Sequence, residues 1–144
     1  MTTENAFESR PKIFVVDDEP EIAKMLAVVL QLNLFDAVPY FDPVEALTAA
    51  KETPPDCLIS DVQMPGMNGI DLGVAVMAEC PACRVLLFSG QIDAPEQVQV
   101  AREAGHAFEF LHKPVHPKVL AEVLVSMGIG NDVEAYAEVS EESH

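Results

Sequence analysis

Five side chains could do chemistry together if the fold gathers them: Asp17, Asp18, Asp61, Ser89 and Lys113. Each closes or directly follows an apolar run, in "IFVVDD", "DCLISD", "RVLLFS" and "FEFLHK". Three carboxylates in one place repel one another, and a hard divalent cation relieves that repulsion better than protonation does. Magnesium suits such a set, because it takes oxygen ligands, often one or two carboxylates, and keeps waters and a phosphate around it. Lys113 would add a point positive charge for one phosphoryl oxygen, and Ser89 a hydrogen-bond donor for another. Metal, ammonium and hydroxyl around the equatorial oxygens is how phosphoryl transfer is stabilised. A carboxylate among them would be the nucleophile, giving an aspartyl phosphate.

A parallel sheet would gather them. The apolar runs at 12–17, 37–41, 56–61, 84–89 and 108–113 are mostly continuous, the pattern of strands buried on both faces. Helical spacing fills the intervals. Ile22, Met25, Leu26, Val29 and Leu30 form one stripe; Val44, Leu47 and Thr48 begin a shorter one. Ile70, Leu72, Val74 and Met77 suit a largely buried helix, Val98 and Ala101 a more polar one, and Val119, Leu120, Val123, Leu124 and Met127 the last. "DPVE" at 42–45 sets Asp42 as a helix cap, Pro43 at the first position and Glu45 at the third, and "DAPE" at 93–96 is similar. Pro117 opens the last helix; Gly128 and Gly130 stop it. Five strand–helix units with short connections imply a parallel sheet covered on both faces. Ligands of such sheets sit beyond the carboxyl ends of the strands, the edge where the five side chains fall.

At 144 residues the chain fits one domain, and 49% hydrophobic with 22% charged residues is ordinary for a soluble protein. A net charge of −16 with scattered Lys and Arg offers no footprint for phosphate backbones, so no nucleic acid is expected as partner. No apolar stretch nears the ~20 residues that span a bilayer, and the N-terminus lacks a signal-peptide pattern. No membrane partner and a cytoplasmic location are therefore expected. Cys57, Cys80 and Cys83 make no disulfide framework. "CPAC" at 80–83 precedes a strand instead of opening a helix and has no further zinc ligands nearby, so it reads as a turn with two incidental thiols. Residues 1–11 read as a flexible N-terminus and 12–128 as the domain. Residues 129–144, five acids and no base, read as a mobile acidic tail.

The chain resembles the receiver domain of two-component response regulators over roughly residues 12–128. The resemblance rests on Asp17-Asp18 after the first strand, "SDVQMPGMNG" at 60–69, Ser89 ending the fourth strand and "KP" at 113–114. It implies an α/β, flavodoxin-like (βα)5 three-layer sandwich with a five-stranded parallel sheet in the order 2-1-3-4-5. It implies Asp61 as phosphoacceptor, with Asp18, Asp61 and the Gln63 backbone carbonyl as magnesium ligands and Asp17 acting mostly through water. Ser89 and Lys113 would hold the phosphoryl group, and Lys113-Pro114 would be a cis peptide. Phe110, three residues before the lysine, would turn as Ser89 moves inward. The implied partners are a sensor histidine kinase or histidine phosphotransferase, and a protein target on the face of helix 4, strand 5 and helix 5. The implied molecule is a stand-alone phosphoacceptor signalling protein, not an enzyme, with no output domain of its own.

Three rivals use similar parts. A haloacid-dehalogenase-type phosphatase ends its first strand on the nucleophile and brings the acidic pair later, the reverse of this order. A flavodoxin needs a Ser/Thr/Gly phosphate loop where this chain has "DDEPEI". A receiver-like scaffold that is never phosphorylated usually lacks one of the five side chains, and here all are present. Relay intermediate, direct messenger and phosphate sink all remain open on sequence grounds.

Overall fold

A computed structural model describes residues 10–130. Residues 1–9 and 131–144, which hold most of the expected flexible N-terminus and acidic tail, lie outside the described residues. The strands are β1 (Lys12–Val16), β2 (Asp36–Tyr40), β3 (Cys57–Asp61), β4 (Arg84–Ser89) and β5 (Phe108–His112). The helices between and after them are α1 (Pro20–Leu32), α2 (Pro43–Glu52), α3 (Gly69–Glu79), α4 (Ala94–Glu103) and α5 (Pro117–Ser126). All neighbouring strands pair in parallel, in the order β2-β1-β3-β4-β5. This is the flavodoxin-like arrangement expected from the sequence.

Alternation along the strands fills two cores. Phe14, Val16, Leu58, Val85 and Leu87 point to the layer of α2, α3 and α4. Ile13, Val15, Ile59, Leu86 and Phe88 point to the layer of α1 and α5. The central strands β1, β3 and β4 are therefore buried almost throughout, while the edge strands β2 and β5 are only partly covered.

The helices differ from the sequence reading in which residues face inward. In α1 the buried face is Ala23, Leu26, Ala27 and Leu30, and Met25 is exposed. In α2 it is Pro43, Ala46 and Ala50, with Val44 exposed. Val119 of α5 is likewise exposed beside buried Leu120, Ala121 and Leu124. Small alanines let a helix lie close to the sheet, so they take the inner positions that larger side chains would block.

The helix ends explain the loops. Asp42 caps α2 by accepting from the Val44 N–H at 3.1 Å. Asp93 makes no cap bond to the backbone of α4; its carboxylate accepts from Gln97 Nε2 at 3.1 Å. At the end of α5, Gly128 has φ +83°, with Gly128 N–H bonding Val125 O at 2.9 Å and Ile129 N–H bonding Leu124 O at 2.9 Å. This glycine-centred stop folds Ile129 back into the core, so packing continues past the expected boundary at 128. The "CPAC" stretch is a turn, Cys83 N–H bonding Cys80 O at 2.9 Å, and burial pushes the Cys83 thiol up to about 12.

Candidate functional site

The site forms where β1 and β3 stop. β1 ends at Val16, but the Asp17 N–H still bonds Tyr40 O of β2 at 3.1 Å, which fixes the backbone of Asp17. Its carboxylate is fully buried. One oxygen accepts from the Glu19 N–H at 2.9 Å, and the other lies 3.2 Å from Lys113 Nζ. Asp18, the next residue, is exposed. Asp61 closes β3 with 5% exposure, and its carboxylate lies 3.4 Å from the same Lys113 Nζ. The backbone of Gln63 also favours the charged form of that carboxylate.

Lys113 directly follows β5, and its N–H bonds Ser89 O at 3.0 Å, extending the pairing of β4 and β5 by one step. The Lys113-Pro114 peptide is cis. Ser89 ends β4, buried, and its Oγ accepts from the Gln91 N–H at 3.0 Å. The Ser89 hydroxyl proton is thus left to donate elsewhere. Phe110 lies on β5 opposite Leu87, partly buried against the α2–α4 core. Ser89 is two residues beyond Leu87 on β4, so Phe110 and Ser89 share one face of the sheet. Phe110 also meets the His112 ring edge-on, with centroids 5.0 Å apart.

Burial raises the Asp61 pKa; Lys113 opposes the rise and Asp17 adds to it. Burial would lower that of Lys113, but Asp61 and Asp17 overcome it, and the ammonium is held more tightly than usual. Lys113 is therefore charged across the neutral range. One oxygen from each of Asp17, Asp18 and Asp61 lies within 4.8 Å of the others. This all-oxygen set, with Asp18 open to water, fits a hard divalent cation that keeps part of its hydration shell.

Gly69 was not singled out from the sequence, yet the site depends on it. A Cβ there would run into the carbonyl oxygen and carbon of Asp61. Only glycine lets α3 begin this close to the end of β3. In the sequence it is one of two glycines in "MPGMNG", and only the three-dimensional approach separates it from Gly66, which has no such neighbour.

A 2-1-3-4-5 parallel sheet whose carboxyl edge carries three clustered carboxylates, a lysine and a hydroxyl defines a flavodoxin-like fold with an acidic site at its carboxyl edge. The family model of the response regulator receiver domain matches residues 13–125, and the chain belongs to that family, the receiver domain of two-component response regulators. The DNA-binding response regulator MtrA of Mycolicibacterium smegmatis is 37% identical over 111 residues, covering 77% of this chain and 47% of MtrA. The chain thus spans about half the length of the curated relatives it matches. Among solved structures, chemotaxis protein CheY4 of Vibrio cholerae superposes with a TM-score of 0.74 at 29% identity, covering 82% of this chain and 98% of CheY4. A response regulator receiver domain protein from Clostridium thermocellum superposes with a TM-score of 0.70 at 26% identity, covering 90% and 98%. Among the described residues no helix is long and apolar enough to cross a membrane.

Proposed function

We propose that Asp61 accepts a phosphoryl group with magnesium held by Asp18, Asp61 and the Gln63 carbonyl, and with Asp17 acting mostly through water. The observation that carries this reading is the convergence on Asp61: two further carboxylates within 4.8 Å and the Lys113 ammonium at 3.4 Å. A carboxylate oxygen of Asp61 attacks phosphorus; the new O–P bond forms as the bond to the donor breaks, and the donor keeps the electron pair. Magnesium supplies neutralisation of charge on the phosphoryl oxygens. Lys113 offers its ammonium to one of those oxygens, and Ser89 turns its free hydroxyl proton to another.

The donor is a sensor histidine kinase or a histidine phosphotransferase, as membership of the family supports. Drawing Ser89 toward the phosphoryl group opens space on the face it shares with Phe110, and Phe110 moves into it. The surface formed by α4, β5 and α5 then differs between the two states and selects a protein target in the cytoplasm. Phosphorylation supplies the differential interaction that such a switch requires.

Incubation of the full chain with acetyl phosphate and magnesium tests the chemistry. Intact mass spectrometry should show one added phosphoryl group on the wild type, and none on Asp61→Asn or when magnesium is chelated. A wild type that gains no mass would overturn the reading.

A further inference from the structure

Among the described residues, the buried polar side chains are Asp17, Ser60, Asp61 and Ser89. Three of them belong to the site. Ser60 is the one that the chemistry above leaves without a task, and it immediately precedes the phosphoacceptor. Its hydroxyl donates to the Asp61 carbonyl oxygen at 2.9 Å.

Strand geometry shows why that carbonyl needs a donor. The Val62 N–H bonds Phe88 O of β4 at 3.0 Å. In a trans peptide the carbonyl and the N–H point in opposite directions, so the Asp61 carbonyl faces the β1 side. The pairing of β1 with β3 ends at Val16 and Ser60, one residue short of Asp61. The Asp17 N–H is turned to β2, so the next one able to serve β3 would be that of Asp18, which has already left the strand. The departure of β1 that creates the acidic pocket therefore removes the ladder partner of the Asp61 carbonyl. A buried carbonyl without a donor is costly, and the Ser60 hydroxyl fills the vacancy.

Gly69 closes the other side. Its Cα packs so near the Asp61 carbonyl that an added Cβ would collide with it and lie 3.0 Å from Ser60 Oγ. The Gly69 N–H is anchored on Val62 O at 2.8 Å. The peptide plane between Asp61 and Val62 is thus held by Phe88 at one end, by Ser60 at the other, and by Gly69 against its face.

We propose that Ser60 is a positioning residue for Asp61: its hydroxyl fixes the Asp61–Val62 peptide plane, and through it the aim of the Asp61 carboxylate into the pocket shared with Asp17, Asp18 and Lys113. The proposal rests on Asp61 as phosphoacceptor. Without the hydroxyl, the plane tilts to seek water or another donor, and the carboxylate swings with its Cα. Attack on phosphorus depends steeply on alignment, whereas binding of a small phosphodonor does not.

The test is the rate of acetyl phosphate phosphorylation of the full chain at saturating magnesium, well below the melting temperature, for wild type, Ser60→Ala, Ser60→Cys and Ser60→Thr. Ser60→Ala should lower the maximal rate about tenfold with the half-saturating phosphodonor concentration unchanged. Ser60→Thr, which keeps the hydroxyl, should recover most of that rate, and Ser60→Cys, a weaker donor, should fall between. A structural role alone would lower the melting temperature and leave the rate per folded molecule at the wild-type value, and that outcome overturns the proposal. If Ser60→Ala does not fold, Ser60→Cys decides by the same rule. A wild type that is never phosphorylated sinks the proposed function itself; a phosphorylated wild type matched by the Ser60 variants sinks only the positioning role.

Discussion

At the amino edge of the sheet, Arg84 donates to the Met127 carbonyl at 2.7 Å, Arg102 to the Phe108 carbonyl at 2.8 Å, and the Lys12 N–H to the Asp56 carboxylate at 2.7 Å. At the carboxyl edge, Lys113 lies 3.2 Å from Asp17 and 3.4 Å from Asp61, two carboxylates withdrawn from water. Charged side chains at the first edge hold backbone groups and tie the ends of α4 and α5 to the sheet. Those at the second chiefly hold one another, with one Asp17 oxygen on the Glu19 N–H. A fold needs the first kind of contact, because strand starts and helix ends carry unmatched backbone groups. It gains little from the second, because burying mutually repelling acids costs stability. Charge that the fold does not need is where a ligand is expected, and substitutions at the two edges should separate accordingly.

The largest effect should come from removing the cation that makes the carboxyl edge tolerable. Lys113→Met leaves Asp17 fully buried with only the Glu19 N–H as partner, beside an uncompensated Asp61. The expected loss is about 2 kcal/mol in urea denaturation at neutral pH without magnesium, below the usual cost of breaking a buried pair because Lys113 is partly open to water. Unchanged stability would mean that the acids are already relieved by some other group, and the contrast between the edges would fail.

Asp61→Asn should act in the opposite direction and more weakly. Burial lifts the Asp61 pKa, so the folded protein binds that proton more tightly than the unfolded chain does. The corresponding stability is fully present below the ordinary carboxylate range and is lost as pH rises through the raised value. A neutral side chain does not suffer that loss. The variant should therefore be more stable than wild type by about 1 kcal/mol at neutral pH without magnesium, or about 3 °C in Tm. The gain should shrink at acid pH. Magnesium should also erase it, by stabilising the wild type through binding. Thermal melts at two pH values, with and without magnesium, read all four conditions.

Much of this edge was legible in the sequence because it depends on where apolar runs stop. Asp17, Asp61 and Ser89 fall within one residue of their strand ends, and Lys113 one beyond β5. What stayed hidden depends on backbone angles and close approaches. "DPVE" and "DAPE" look alike, but Pro43 directly follows Asp42 and holds it extended, at ψ 124°, where its carboxylate reaches the Val44 N–H. In the second stretch Ala94 intervenes, Asp93 relaxes to ψ −5°, and the cap is lost. Ser60 was hidden for a similar reason. Nothing in "CLISD" says that β1 stops one residue early beside it, and the need for its hydroxyl comes from that neighbouring strand.

The smallest effect, and the sharpest check on the contrast, belongs to the amino edge. Arg84 begins β4, its side chain crosses to the carbonyl of Met127, and Met127 precedes the glycine turn that returns Ile129 to the core. Arg84→Met keeps the length of the stem and removes the donor. The bond to the Met127 carbonyl is only part-buried and sits beside exposed Gly128, so water can take the place of the guanidinium and the net loss should be about 0.5 kcal/mol. Phosphorylation by acetyl phosphate should be unchanged, since the side chain sits at the opposite end of the strand from Ser89 and its charge is screened over that distance. A fall in the phosphorylation rate larger than the stability loss explains would show that the amino edge reaches the site through β4, and that its charges do more than hold backbone in place.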